Sequence, residues 1–287
     1  MAALTVSKGS EAMYEEIIYQ VEDPVATVTI NRPERLNALT ARTQVELKHA
    51  MITAERDERV VGIILTGAGR AFSAGADMRS LAEIAERRAV DRDESLARLD
   101  AECRGREVDP EFRITWSFIP SLKKPVIAAV NGPCAGMSTA IATMCDLRFA
   151  SDTAVFTTSF SQRGLVAEHG LSWILPRLIG PARALDLLWS ARRVDAREAE
   201  RLGLVDRVIP GDELLATARD YIEDLARNAS PTSIMVMKRQ VYLHLMKPLH
   251  EAMEDTNQLI AESLTRDDFR EGVASFVEKR APAFPRV

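Results

Sequence analysis

The sequence predicts an α/β core followed by an all-helical C-terminal region, on three observations. Two apolar runs, 60–66 and 125–130, read as buried strands, and each gives way to a small-residue turn and then to helical spacing. Strand-like runs stop at Asp212. From there four helical patterns follow one another to the end of the chain. The change of pattern near Pro210 divides the chain into a core, 1–210, and a helical region, 211–287.

The elements follow in order. At 15–30, Ile-Ile-Tyr-Gln-Val and Val-Ala-Thr-Val-Thr-Ile flank Asp23-Pro24 and read as a hairpin. Thr40 suits an N-cap and predicts a helix through about residue 56. Segment 78–113 is dense in charge, with apolar residues at helical spacing at Leu81, Ile84, Leu96 and Leu99. It reads either as mobile helices over a cleft or as a solvated charged insertion. A helix is expected at 134–144, short strands at 147–156, and helices at 170–178, 182–190 and 196–202. The last four helices are expected at 213–227, 233–245, 249–264 and 267–279.

Composition removes several function classes. A chain of 287 residues can bury a large core. Its net charge of −5 gives no basic field for nucleic acid, so an anionic ligand must be held by a few local cations. The three cysteines, Cys103, Cys134 and Cys145, lack Cys-x-x-Cys spacing, and the odd count argues against a disulfide framework. Reduced thiols in the cytoplasm are expected. The first ten residues lack an apolar h-region, so no signal peptide is expected. The run 125–145 carries no charge and could imitate a membrane span. Asn131-Gly-Pro133 breaks it, and a strand, a turn and a helix fit better, so no membrane association is expected.

The chemistry is concentrated in two loops. Gly67-Ala-Gly-Arg-Ala-Phe-Ser-Ala-Gly-Ala-Asp77 and Val130-Asn-Gly-Pro-Cys-Ala-Gly-Met137 each follow a strand and run into a helix. Small residues let a backbone approach a ligand closely, and the first turn of a helix leaves N–H groups free. Two such turns can aim two N–H groups at one oxygen that becomes negative during a reaction. Gly132-Pro-Cys-Ala-Gly136 also has the outline of a hydrolase nucleophile elbow, but no other feature of that fold accompanies it. There is no P-loop, no Gly-x-Gly-x-x-Gly after the first strand, and no His/Cys metal spacing.

The sequence resembles the crotonase (enoyl-CoA hydratase/isomerase) family in Asn31-Arg-Pro-Glu-Arg-Leu-Asn-Ala-Leu39, Phe72-Ser-Ala-Gly-Ala-Asp77, Lys123-Lys-Pro-Val-Ile-Ala-Ala-Val-Asn-Gly132, Met144-Cys-Asp146, Gly203-Leu-Val205 and Phe276-Val-Glu-Lys-Arg280. The resemblance implies a spiral of β-β-α turns and a helical C-terminal region used for trimerisation, often as dimers of trimers. It implies an acyl-CoA thioester as substrate, with CoA part of the substrate and no separate cofactor or metal. It places the oxyanion donors at the N–H groups of Ala76 and Met137, the second position being usually glycine in the family. It places the Ala74 backbone at the CoA adenine. Arg35, Arg79 and Lys279 stand where the family contacts CoA phosphates, Lys279 acting from a neighbouring subunit. Trp116 and Phe160 are candidate walls of the acyl pocket, as are Phe118 and Trp173.

The two glutamates of the family's hydratases fall at Ala140 and Phe160, neither of which can transfer a proton. Glu168 matches the position where related members keep a catalytic aspartate, and is the expected single general acid/base. An apolar pocket would raise its pKa toward the range useful for a base. His169 is expected to point away from its neighbour, in a supporting role at most. The expected activity is of the enoyl-CoA hydratase/isomerase class, through an enolate. Two alternatives stay open: a non-catalytic acyl-CoA binding protein, and a hydrolytic or carbon–carbon bond-cleaving relative.

Overall fold

A computed structural model describes residues 14–86, 94–106 and 108–287. The expectation for the N-terminal residues, the parts of the charged segment at 87–93 and 107, and the Leu81 and Ile84 side chains lie outside the described residues. The predicted hairpin is present as β1 (Ile17–Glu22) and β2 (Val25–Ile30), paired antiparallel. Helix α1 (Ala41–Arg56) starts at Thr40, whose hydroxyl accepts from the Thr43 N–H while the Thr43 hydroxyl accepts from the Thr40 N–H. Strand β3 (Gly62–Gly67) lies parallel to β2. The charged segment contributes α2 (Met78–Ala85) and α3 (Glu94–Glu102). Helix α3 docks on α1 through the Lys48–Asp100 ion pair and the contact of His49 Nε2 with the Glu102 carboxylate, both at 3.1 Å.

Strand β4 (Val126–Val130) lies parallel to β3, and is followed by β5 (Cys134–Ala135) and α4 (Met137–Met144). The helix expected at 134–144 therefore starts three residues later. Gly136 takes a φ of 56°, and Cys134 and Ala135 pair with Phe156 and Thr157 instead. Strands β6 (Leu147–Ser151) and β7 (Val155–Thr157) come next, then α5 (Leu171–Ile179), α6 (Pro181–Ser190), β8 (Val194–Asp195), α7 (Ala196–Leu202) and β9 (Arg207–Ile209). The chain closes with α8 (Leu214–Asn228), α9 (Pro231–His244), α10 (Leu249–Ser263) and α11 (Asp267–Glu278).

Among the described residues the strands form a six-stranded sheet of order β1-β2-β3-β4-β6-β9, parallel except at β1–β2, and a three-stranded sheet β5-β7-β8. Strands β3 and β4 are buried along their whole length, which is why their sequences are continuously apolar rather than alternating. Their side chains still divide by period two. Ile63, Leu65 and Ala128 face the main core with α1, α4 and α5, while Ile64 and Ile127 face Leu214, Ala218 and Ile222 of α8. No described helix is long and apolar enough to cross a membrane.

Helix α9 is tied to the core by a buried charge. The Asp146 carboxylate accepts from the Val126 N–H at 2.7 Å, from Lys238 Nζ at 2.6 Å and from the Tyr242 hydroxyl at 3.0 Å. Lys238 also donates to the Lys124 carbonyl at 2.9 Å. Asp146→Ala would leave an uncompensated buried ammonium, so we expect a loss of about 3–5 kcal/mol in urea unfolding. The double variant with Lys238→Met should recover part of that loss. A single variant as stable as the wild type would show that the pair does not hold α9.

Candidate active site

A cavity of about 640 Å³ opens at the C-terminal ends of β2, β3 and β4, where parallel α/β sheets place their ligands. Each of the three strands supplies a wall through the loop that follows it. Arg32, Arg35 and Ala38 come after β2, residues 74–79 after β3, and Gly136 with Met137 after β4. A fourth wall comes from the turn after β7, with Phe160, Leu165, Glu168 and His169.

The two small-residue loops are stitched together. The Ser73 N–H donates to the Pro133 carbonyl and the Ala135 N–H to the Ser73 carbonyl, both at 3.1 Å. Asn131 clamps the first loop from the second, its amide donating to the Gly67 and Gly69 carbonyls at 2.8 and 2.9 Å. From the other side the buried Asn37 amide donates to the Ala68 and Ala71 carbonyls. The chain reverses at Gly75, with φ of 89°, where the Leu39 N–H donates to the Gly75 carbonyl and the Asp77 N–H to the Leu39 carbonyl. Ala76 between them has no backbone acceptor for its N–H among the described residues. Met137 is the first residue of α4, so its N–H is one of those a helix leaves unpaired. Both N–H groups belong to residues that line the cavity.

Arg32 anchors the first loop from outside. Its guanidinium pairs with Asp77 Oδ2 at 3.1 Å and with Glu16 at 3.2 Å. Burial opposes the Asp77 charge, but the Arg79 N–H and Arg32 hold its carboxyl below the usual range. Around the cavity four arginines, Arg32, Arg35, Arg79 and Arg163, face two acids, Asp77 and Glu168. An acidic protein thus concentrates cations at one mouth, as an anionic ligand would need. Arg35 and Arg79 are exposed there.

Glu168 lies just before α5, its carbonyl accepting from the Leu171 N–H at 3.0 Å. Its side chain is 36% exposed, so the apolar enclosure expected around it is not what the protomer provides. His169 does not point away. It lines the same cavity, 19% exposed, with Nε2 3.6 Å from Glu168 Oε2. Burial pushes its imidazole below the ordinary range, against a smaller upward pull from Glu168.

Of the expected site residues, Glu168, Ala76, Met137, Ala74, Arg35, Arg79 and Phe160 border this one cavity. Trp116 does not line it. Trp116 is buried in the main core, tilted against Phe118 at 6.0 Å between ring centroids. Lys279 does not line it either, and sits exposed at the C-terminus of α11. Ala140 is fully buried in α4 and Phe160 is buried against the cavity. Arg32 was visible in the sequence only as part of the Asn-Arg-Pro string, and Arg163 carried no signal. The nucleophile-elbow reading finds no support, since burial pushes the Cys134 thiol up to about 12 and its sulfur is fully enclosed.

The sequence profile of the enoyl-CoA hydratase/isomerase family matches residues 20–286. A probable enoyl-CoA hydratase of Mycobacterium bovis is 35% identical over 94% of this chain and 98% of its own length. A second one from that organism is 38% identical over 92% and 91%. Among solved structures, an enoyl-CoA hydratase from Bacillus anthracis superposes with a TM-score of 0.81 at 28% identity, covering 94% of this chain and 99% of that one. One from Polaromonas sp. gives 0.80 at 27%, covering 93% and 99%.

Proposed function

Because the chain belongs to the enoyl-CoA hydratase/isomerase family of the crotonase superfamily, we propose that it moves a proton on an acyl-CoA thioester through an enolate held by Ala76 and Met137. The supporting observation is that the residues carrying these two N–H groups line one cavity together with Glu168. The thioester oxygen would sit between the two N–H groups. Glu168 would take a proton from carbon while the electron pair moves onto that oxygen. Returning the proton to another carbon shifts the double bond, and one carboxylate suffices for this. Hydration by the same group requires it to act first as base and then as acid. Met137 in place of the family's usual glycine narrows the acyl side.

In this reading Arg35 and Arg79 meet the CoA phosphates and the Ala74 backbone meets the adenine. CoA arrives as part of the substrate and no further cofactor is required. The helical region 211–287 carries the oligomer contacts. Exposed Met237, Val241, Leu249, Met253 and Phe276 on α9, α10 and α11 favour burial against further copies, as a trimer or a dimer of trimers that would bring Lys279 to a neighbour's site. Buried free thiols fit a cytoplasmic, reducing compartment. One observation favours a second reading, an acyl-CoA binding protein without turnover: Ala140 and Phe160 carry no proton.

The test is mass spectrometry of a panel of acyl- and enoyl-CoA esters incubated with the protein in D2O. Deuterium gain or water addition is the expected result. Intact binding with no change in any ester would replace the enzyme reading by the binding one, and release of free CoA would replace it by hydrolysis.

A further inference from the structure

The turn that carries Glu168 has an unusual backbone. His169 takes a φ of 56°, left-handed, a region that residues other than glycine enter infrequently and histidine more readily than most. Gly170 follows at 79°. This geometry turns two consecutive side chains onto the same wall, and the result is the 3.6 Å approach of His169 Nε2 to Glu168 Oε2. Meanwhile the two positions at which the family's hydratases hold their carboxylates are a fully buried alanine and a phenylalanine. The remaining charged groups that face the cavity are Arg32 with Asp77, already paired, and Arg35, Arg79 and Arg163. Among the described residues the acidic side chain beside His169 is Glu168.

We propose that His169 is a second proton-carrying residue of this site, sharing with Glu168 the proton that moves between substrate carbons. The inference rests on the enzyme reading given above. Glu168 Oε2 takes the proton as a substrate C–H bond breaks, and the electron pair goes to the thioester oxygen as an enolate. Once the two groups close from 3.6 Å to hydrogen-bond distance, the proton passes to His169 Nε2, which leaves an imidazolium beside a restored carboxylate. As the enolate collapses, its electrons form the new C–H bond with that proton, and both side chains return to their starting forms. Burial lowers the His169 pKa, so the ring begins neutral, with a nitrogen free to accept. A proton that can rest at either of two adjoining groups can be delivered to either of two carbons.

Two substitutions suit the backbone at 169. His169→Gly tolerates positive φ and vacates the volume of the ring, and His169→Asn tolerates positive φ with a side chain that does not titrate. Each should lower deuterium exchange and turnover by about 10²-fold or more, with CoA-ester binding retained. Free imidazole should restore part of the rate in His169→Gly and none in the wild type, which a residue that only fills space would not produce. Rates within about twofold of wild type in both variants would overturn the proposal, as would a loss that imidazole does not repair. Glu168→Gln is measured alongside. If it is inactive while the His169 variants run normally, the enzyme reading stands and this inference falls. Absence of any reaction with the wild type would remove both.

Discussion

Glu168→Gln is expected to lower turnover by about 10²–10⁴-fold, the usual contribution of a positioned general acid/base. That corresponds to about 3–5 kcal/mol of lost transition-state stabilisation. Glutamine keeps the shape and hydrogen-bonding reach of the side chain but cannot take a proton from carbon. The site is 36% exposed and outside the core, so little stability is at stake. The dissociation constant for an unreactive CoA ester should therefore stay near the wild-type value while kcat falls. That split separates proton transfer from binding. An unchanged kcat would mean that the proton is handled elsewhere, and Glu168 would revert to an ordinary residue before a helix.

Gly75→Ala is expected to lower turnover by about 10²–10³-fold, the effect of losing an oxyanion donor. A Cβ at this position would stand 2.5 Å from the Ala135 carbonyl oxygen and 3.6 Å from the Met137 nitrogen. Neither neighbour is a flexible side chain, so backbone must move. The φ of 89° adds strain that alanine cannot relieve in place. Movement of residue 75 displaces the Ala76 N–H on one side and crowds Met137 on the other. Gly105→Ala is the matched control. It has a φ of 78° and open space around its Cβ direction, so it should lose some stability and no turnover. Equal kcat in Gly75→Ala and wild type would show that the oxyanion is not held by these loops.

Much of this site was legible because its determinants are local. The reciprocal cap at Thr40, the apolar strands and the small-residue loops each depend on residues within a few positions of one another. The start of α4 was not. Residues 134–144 suit a helix equally well throughout, and pairing of Cys134 and Ala135 with a strand distant in sequence decides the matter. Strands β8 and β9 span two and three residues, too few for any periodicity. Aromatic type alone could not say that Phe160 faces the cavity while Trp116 is enclosed in the core. The convergence of Glu168 and His169 depends on one positive φ, which a histidine in the sequence does not announce.

The two halves of the proposed chemistry are carried by different parts of the chain and by different kinds of group. In this proposal charge stabilisation belongs to two main-chain N–H groups, that of Ala76 after β3 of the large sheet and that of Met137 after β5 of the small one, on loops that Asn37 and Asn131 hold in place. Proton handling belongs to side chains on a single turn, 158–169, that hangs from the small sheet. Substitutions of Glu168 or His169 are therefore expected to change which bond is made more than how the thioester is gripped. A scaffold divided in this way would keep its intermediate fixed while one short stretch of sequence set the outcome.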